Sequence, residues 1–380
     1  MITLNTPHHI RPTYAEVSLS ALQHNIKQFS SKLKQETYLM AVVKADGYGH
    51  GAVQVARVAL DAGATHLGVA FLDEAALLRQ HGIQAPILVL GYTPTSAIET
   101  AARLRVSVTV FSLGQMLEIA ALKNCGRLSI HLKLDTGMSR LGATTPDEAR
   151  AIAHLVQCCE FTVLEGVFTH FADADGLDPS FTELQFSRFM SMLKFLRDSG
   201  IQYEMAHCCN SAAIWRFPQY QLDMVRLGIG MYGFISLARN DIALPKLEKA
   251  MRVRSAISSL KQISAYEPIS YNRSYVTKSN ATIAVLPIGY ADGLDRKLSD
   301  LGYVDIAGQA APIVGKICMD QTMIDVSHLI DLHIGDQAVL FGTDENGVTA
   351  SDWARWLNTI EYEIVCSISK RVPRIYTNCI

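Results

Sequence analysis

No apolar run in the chain approaches the roughly 18 residues that a membrane-spanning helix needs. There is no Lys/Arg run either: 34 basic residues stand against 36 acidic ones, a net charge of -2. This balance argues against nucleic acid or an anionic membrane as a partner. Charge is scarce as a whole, at 18% of residues, below the roughly 25% usual for soluble domains, which points to surface buried between subunits. The eight cysteines form no C-x-x-C pair, and four of them lie in two adjacent doublets, Cys158–Cys159 and Cys208–Cys209. That pattern reads as reduced thiols in a cytoplasmic protein. The opening residues lack a basic start followed by an apolar core, so no secretory leader is expected.

What the chain does have is repetition. Between residue 38 and about 228 it alternates short apolar runs with amphipathic stretches. The runs are YLMAVVKA, HLGVAF, PILVLGY, VSVTVF, LSIHLKL, FTVLEGVFTH, YEMAHCCN and DMVRLGIG. Strands alternating with helices give a parallel sheet, and eight of them close into a (β/α)8 barrel. An open doubly wound sheet is the runner-up, but the first strand–helix turn lacks G-x-G-x-x-G. After about residue 245 helical periodicity fades, and short Val/Ile/Thr runs appear between Gly, Asn, Asp and Pro. The expected architecture is an α/β protein: a barrel over 14–245, and a mainly β domain from 246–380 joined by 1–13.

In such a barrel, functional side chains gather where the strands end. The ends here carry Lys44, Lys133 followed by Arg140, His170, Asn210 and Ser211, and Arg226 followed by Gly228. Lys44 closes the stretch AVVKADGYGHG. A lysine at an apolar barrel mouth is a candidate nucleophile toward an aldehyde. Tyr48, one expected helical turn on, is within reach of a phosphate, and glycines at 47, 49 and 51 permit close backbone approach. Ser211 or Asn210 caps a short helix, and the glycine turn at Gly228 and Ile229 follows the eighth strand; both suit a phosphate. A Schiff-base lysine beside a phosphate site suggests pyridoxal phosphate. Singly, each feature has an ordinary reading: a snorkelling lysine, a plain helix cap, an ordinary turn.

Taken in order, AVVKADGYGHG, HLKLDTGMSRLG, GVFTHFADAD, NSAA, VRLGIGMYG, LPIGYADG, GKICMDQTMIDV and RVPRIY resemble the motifs of the alanine racemase family across nearly the whole chain. The resemblance implies a pyridoxal-phosphate racemase that interconverts L- and D-alanine and supplies D-alanine for peptidoglycan. It also implies a head-to-tail homodimer with shared active sites. By the same resemblance, Lys44 holds the cofactor and moves a proton on one face of the substrate Cα. Tyr271 of the second subunit serves the opposite face, since inversion needs a donor and an acceptor on opposite sides. Arg226 faces the pyridine nitrogen, with His170 buttressing it. An arginine there only donates, so the nitrogen stays unprotonated. Arg140 and Met319 meet the substrate carboxylate, Tyr290 narrows the entrance, and Lys133 is a carbamylation candidate; read from the sequence alone, Lys133 pairs with Asp135.

Two positions depart from the family pattern. Lys370 stands where many relatives have a tyrosine that reaches the cofactor phosphate. Asn272 stands where a glycine usually follows the catalytic tyrosine. Four other readings remain at this point: a preference for serine or another small amino acid, a same-fold decarboxylase, a non-enzymatic cofactor carrier, and a metal-dependent hydrolase using His170 and His207–Cys209. Adjacent residues on a strand face opposite sides, which weakens the last and favours no metal.

Overall fold

The computed structural model describes residues 10–123, 125–235, 244–342 and 347–377. The first strand, β1 (Tyr14–Ser18), buries Ala15 and Val17 and turns Glu16 outward, the alternation of a strand that is half covered. The next eight are β2 (Tyr38–Val42), β3 (His66–Val69), β4 (Ile87–Val89), β5 (Ser107–Val110), β6 (Leu128–Lys133), β7 (Thr162–Phe168), β8 (Met205–His207) and β9 (Met224–Leu227). All eight pair in parallel, and β9 closes on β2 with Tyr38 opposite Met224. This is the eight-stranded barrel expected from the repeated runs. Between strands, burial selects the helices. In Pro146–Cys158 the residues Ala149, Ile152, Ala153 and Val156 are buried, a spacing of three and four. Thr145 caps that helix by accepting from the Glu148 amide at 3.2 Å, and proline sits at its start.

The barrel interior is divided. One side is an apolar cluster of Met40, Leu88, Met205 and Met224, with Leu90 against it. Elsewhere the strands bury polar groups, among them Thr109, His131, Lys133, His207 and Arg226. Barrel interiors of this type are usually filled by branched apolar side chains, so the polar share marks where folding stability gives way to chemistry.

The later strands are β10 (Met251–Ala256), β11 (Ser259–Ile263), β12 (Pro268–Ile269), β13 (Tyr275–Val276), β14 (Ala281–Leu286), β15 (Tyr303–Ile306), β16 (Gln309–Pro312), β17 (Thr322–Asp325), β18 (Gln337–Phe341) and β19 (Arg374–Thr377). They form a six-stranded sheet in the order β16-β15-β18-β10-β1-β19, a three-stranded sheet β11-β14-β17 and a small hairpin. Helices Ala350–Leu357 and Glu361–Ser367 complete this mainly β unit. Strand β1, at the expected start of the barrel, lies in this sheet instead, antiparallel to β10 and parallel to β19. Nearby, Arg11 grips Asp292 through two contacts of 2.6 Å, while residues 1–9 lie outside the described residues. Two compact units result. One takes the chain up to Ala21, Tyr48–His50 and the chain from Lys249; the other takes Leu22–Gly47 and Gly51–Glu248. No helix among the described residues is long and apolar enough to cross a membrane.

Candidate active site

Lys44 follows β2 and opens a turn that is not the right-handed helix its spacing suggests. Ala45, Asp46 and Gly47 all have left-handed backbone angles, with φ of 51°, 54° and 62°. A left-handed turn costs roughly 1–2 kcal/mol for each residue with a Cβ, so something must hold it. Glu74 does part of this. Its carboxylate accepts from the Ala45 amide at 2.6 Å and from the Ala70 amide at 2.7 Å. The Asp46 carboxylate accepts from the Ala52 amide at 2.9 Å. Neither Glu74 nor this clamp is legible as a functional feature from the sequence.

In the barrel unit, Lys133 and His170 each lie within electrostatic range of Lys44, Arg140 and Arg226. Lys133 is buried at the end of β6, with its Nζ 4.6 Å from the centre of the Phe168 ring. Burial, together with the charges of Arg226, Arg140 and Lys44, pushes its pKa down to about 7. The pairing with Asp135 expected from the sequence does not form. The Asp135 carboxylate instead accepts from the backbone amides of Gly137, Ser139 and Arg140, at 2.9 to 3.0 Å, and ties down the loop that carries exposed Arg140.

Arg226 is buried on β9. It donates to the Thr169 carbonyl at 2.8 Å, to the Cys208 carbonyl at 3.0 Å, to His207 Nδ1 at 2.7 Å and to His170 Nδ1 at 3.2 Å. Burial lowers its pKa to about 10. Burial first, then the charges of Arg226 and Lys133, holds His170 far below the ordinary histidine range, so it stays neutral. His170 and Arg226 are thus in direct contact. Among the described residues, neither Lys133 nor Arg226 forms an ion pair with a carboxylate. A buried cation cluster with so little compensation is arranged for an anion.

Asn210 caps the helix Ser211–Arg216, accepting from the Ala213 amide at 3.0 Å. Ser211 is the first helical residue, and its hydroxyl accepts from the Gly228 amide at 2.9 Å and the Gly230 amide at 3.3 Å. Ile229 is buried in that same turn. With its oxygen held by these two amides, the Ser211 hydroxyl keeps its own proton to donate, as an oxyanion group would require.

The other candidates belong to the β unit. Tyr48 is buried there, its ring 6.0 Å from that of Tyr362. Gly49 has φ +80°, and a Cβ on it would stand 2.2 Å from the Val365 carbonyl oxygen, so packing within the unit alone demands this glycine. Tyr271 is exposed on a turn in which Ser270, Asn272 and Arg273 all have positive φ. Asparagine tolerates that backbone better than most residues, which fits its standing where glycine is usual. Tyr290 and Met319 lie on adjoining turns: the Tyr290 amide donates to the Cys318 carbonyl at 3.1 Å, and the Ala291 amide to the Met319 carbonyl at 3.1 Å. Lys370 is exposed in the turn after the helix Glu361–Ser367.

The sequence reading missed Phe168, whose ring lies parallel to His207 at 4.8 Å and under the Arg226 guanidinium at 5.4 Å. Its place at a strand end, two residues before His170, is the signal that could have found it. His207 had drawn notice only as a metal ligand. It serves Arg226 instead, and among the described residues no group of three His, Cys, Asp or Glu is placed to hold a metal.

Barrels of this kind do their chemistry at the end where these cations gather, so fold and site define a two-unit barrel enzyme. Residues 17–236 match the model of the alanine racemase N-terminal domain, and residues 250–376 that of the C-terminal domain. The chain therefore belongs to the alanine racemase family. It is 44% identical to the alanine racemase of Desulforamulus reducens over 96% of this chain and 99% of that one. It is 46% identical to alanine racemase 2 of Oceanobacillus iheyensis, over 96% and 93%. Among solved structures, the alanine racemase of Bacillus anthracis with bound L-Ala-P superposes with a TM-score of 0.93 at 38% identity, covering 97% of this chain and 96% of that one.

Proposed function

We propose that the protein is a pyridoxal-phosphate-dependent racemase that interconverts L- and D-alanine in the cytoplasm, the D-enantiomer serving peptidoglycan. The observation that carries this reading is the buried, poorly compensated cation cluster around Lys133 and Arg226, beside a hydroxyl-and-amide turn. Those donors suit a group that bears both a phosphate and a ring oxygen, bound next to an amino-acid carboxylate.

Lys44 would hold the cofactor covalently, and Ser211, Gly228 and Ile229 its phosphate, behind the capped turn of Asn210. Tyr48 would be a further phosphate donor, with Lys370 as a charged one in place of the tyrosine usual there. Once bound, the cofactor would supply an electron-withdrawing ring that acidifies the Cα–H of the amino acid. Arg226, held by His170, would face the ring nitrogen as a pure donor and keep it unprotonated, which disfavours decarboxylation and other side reactions. Arg140 and Met319 would orient the substrate carboxylate, and Tyr290 would limit side-chain size in favour of alanine. At Cα, the Lys44 amine would move the proton on one face, and the Tyr271 phenol of a second copy would move it on the other. The exposure of Tyr271, Tyr290 and Met319 on one unit supports a homodimer in which each copy's β unit serves the other's barrel. A pKa of about 7 leaves a substantial share of the Lys133 amine neutral near pH 7, the form that adds CO2, which supports a carbamate there that orients Arg140.

The test is exchange of the alanine Cα proton for solvent deuterium. The wild-type protein should exchange both enantiomers and show the near-visible absorption of a lysine-bound cofactor. Lys44→Ala should lose both. Absence of exchange with alanine, serine or any other small amino acid overturns the reading.

A further inference from the structure

From Arg226 a line of buried polar side chains runs back through the barrel, and the proposed reaction gives it no task. Arg226 Nη1 donates to His207 Nδ1 at 2.7 Å. His207 Nε2 lies 3.0 Å from His131 Nδ1, and His131 Nε2 lies 3.1 Å from the Glu165 carboxylate. The Ser107 hydroxyl donates to that same carboxylate oxygen at 2.5 Å. Ser107 is the first residue of β5, so the line starts at the end of the barrel away from the cation cluster.

Hydrogen-bond logic assigns every proton along it. A guanidinium cannot accept, so His207 Nδ1 accepts and its proton sits on Nε2. That proton is donated to His131 Nδ1, which puts the His131 proton on Nε2, facing Glu165. Both imidazoles are therefore neutral and point the same way, with a carboxylate at one end and a guanidinium at the other. Bonds aligned in this manner polarise one another inside a protein.

Two features of the sequence build the line. The pairing of β6 with β7 runs Ile130 opposite Leu164, then His131 opposite Gly166, which leaves Glu165 as an extra residue in β7. A bulge of this kind re-aims a side chain, and here the carboxylate reaches His131. Gly166 then leaves room for the ring, since a Cβ there would stand 2.3 Å from His131 Nδ1.

We infer that Glu165 and His131 are positioning residues for the active site: through His207 they fix the Arg226 guanidinium in place and give it a distant counter-charge. The inference rests on the proposed role of Arg226 toward the cofactor ring. It adds to that role an electrostatic dependence on the opposite end of the barrel.

The experiment uses the purified protein labelled with 15N-histidine, its resonances assigned by replacing single histidines. Wild type should show both His131 and His207 as neutral Nε2–H tautomers. Glu165→Gln keeps an oxygen acceptor and removes the charge. It should weaken the His131 hydrogen bond, shift the His207 signals and lower kcat for alanine about tenfold with KM within about twofold. Gly166→Ala, which displaces the His131 ring, should move the same signals. The inference is overturned if either histidine in wild type carries its proton on Nδ1 or is an imidazolium. It is equally overturned if Glu165→Gln leaves the His207 signals and kcat unchanged. A wild-type protein with the expected tautomers and no alanine exchange would sink the racemase reading and leave the relay standing.

Discussion

Lys133 is the residue at which burial and charge act in the same direction. Loss of water and three neighbouring cations disfavour its ammonium form and together outweigh the opposing charge of Asp135. Its folded pKa of about 7 lies below the free lysine value near 10.4, so the folded protein holds fewer protons than the unfolded chain between those limits. Stability should therefore rise with pH across that window, and the cost of the buried cation is fully present below about 7. In CO2-free buffer, Lys133→Met should raise the stability at pH 6 on the order of 2 kcal/mol, and the gain should vanish near pH 10; matched thermal melts check this. Glu165 has the opposite sign. Burial pushes its pKa up, but the hydrogen bonds from His131 and Ser107 prevail and hold it below the ordinary carboxylate range. Its contribution is present above the free carboxylate range and is lost as pH falls below it. Acid titration of wild type against Glu165→Gln should show the difference confined to that low range.

At the scale of elements, the strands were legible because each barrel strand is an apolar run ending in a polar residue, a pattern forced by burial on both faces. All eight runs became strands. The helix expected over Lys44–Tyr48 did not form, because residue spacing carries no sign of handedness and the left-handed turn is held by Glu74, which is remote in sequence. Ala45→Gly removes a Cβ from a left-handed position. Net of the extra chain entropy of glycine, it should stabilise the protein by about 0.5–1 kcal/mol in denaturant titration. The bulge at Glu165 was hidden for a related reason. LEGVF reads as a plain strand, and only the register against β6 reveals the extra residue. Strand β1 was misplaced because its alternation suits any half-covered sheet, and nothing local names its partner.

At the scale of the whole molecule, the change of texture after residue 245 marked two units, while the return of Tyr48–His50 to the β unit left no trace in composition. Of the candidate residues, Lys44, Lys133, Arg140, His170, Ser211 and Arg226 lie on the barrel, and Tyr271 and Met319 on the β unit. The central proposal is that Tyr271 and Met319 of one copy of the chain complete the barrel site of another. The direct test is to co-express Lys44→Ala with Tyr271→Phe, each of them expected to be inactive alone. In a hybrid head-to-tail dimer one site carries both substitutions and the other carries neither. Random assortment should then restore about a quarter of the wild-type rate of alanine racemisation. No recovery above the separate variants, in a preparation shown to contain the hybrid dimer, would contradict the shared site.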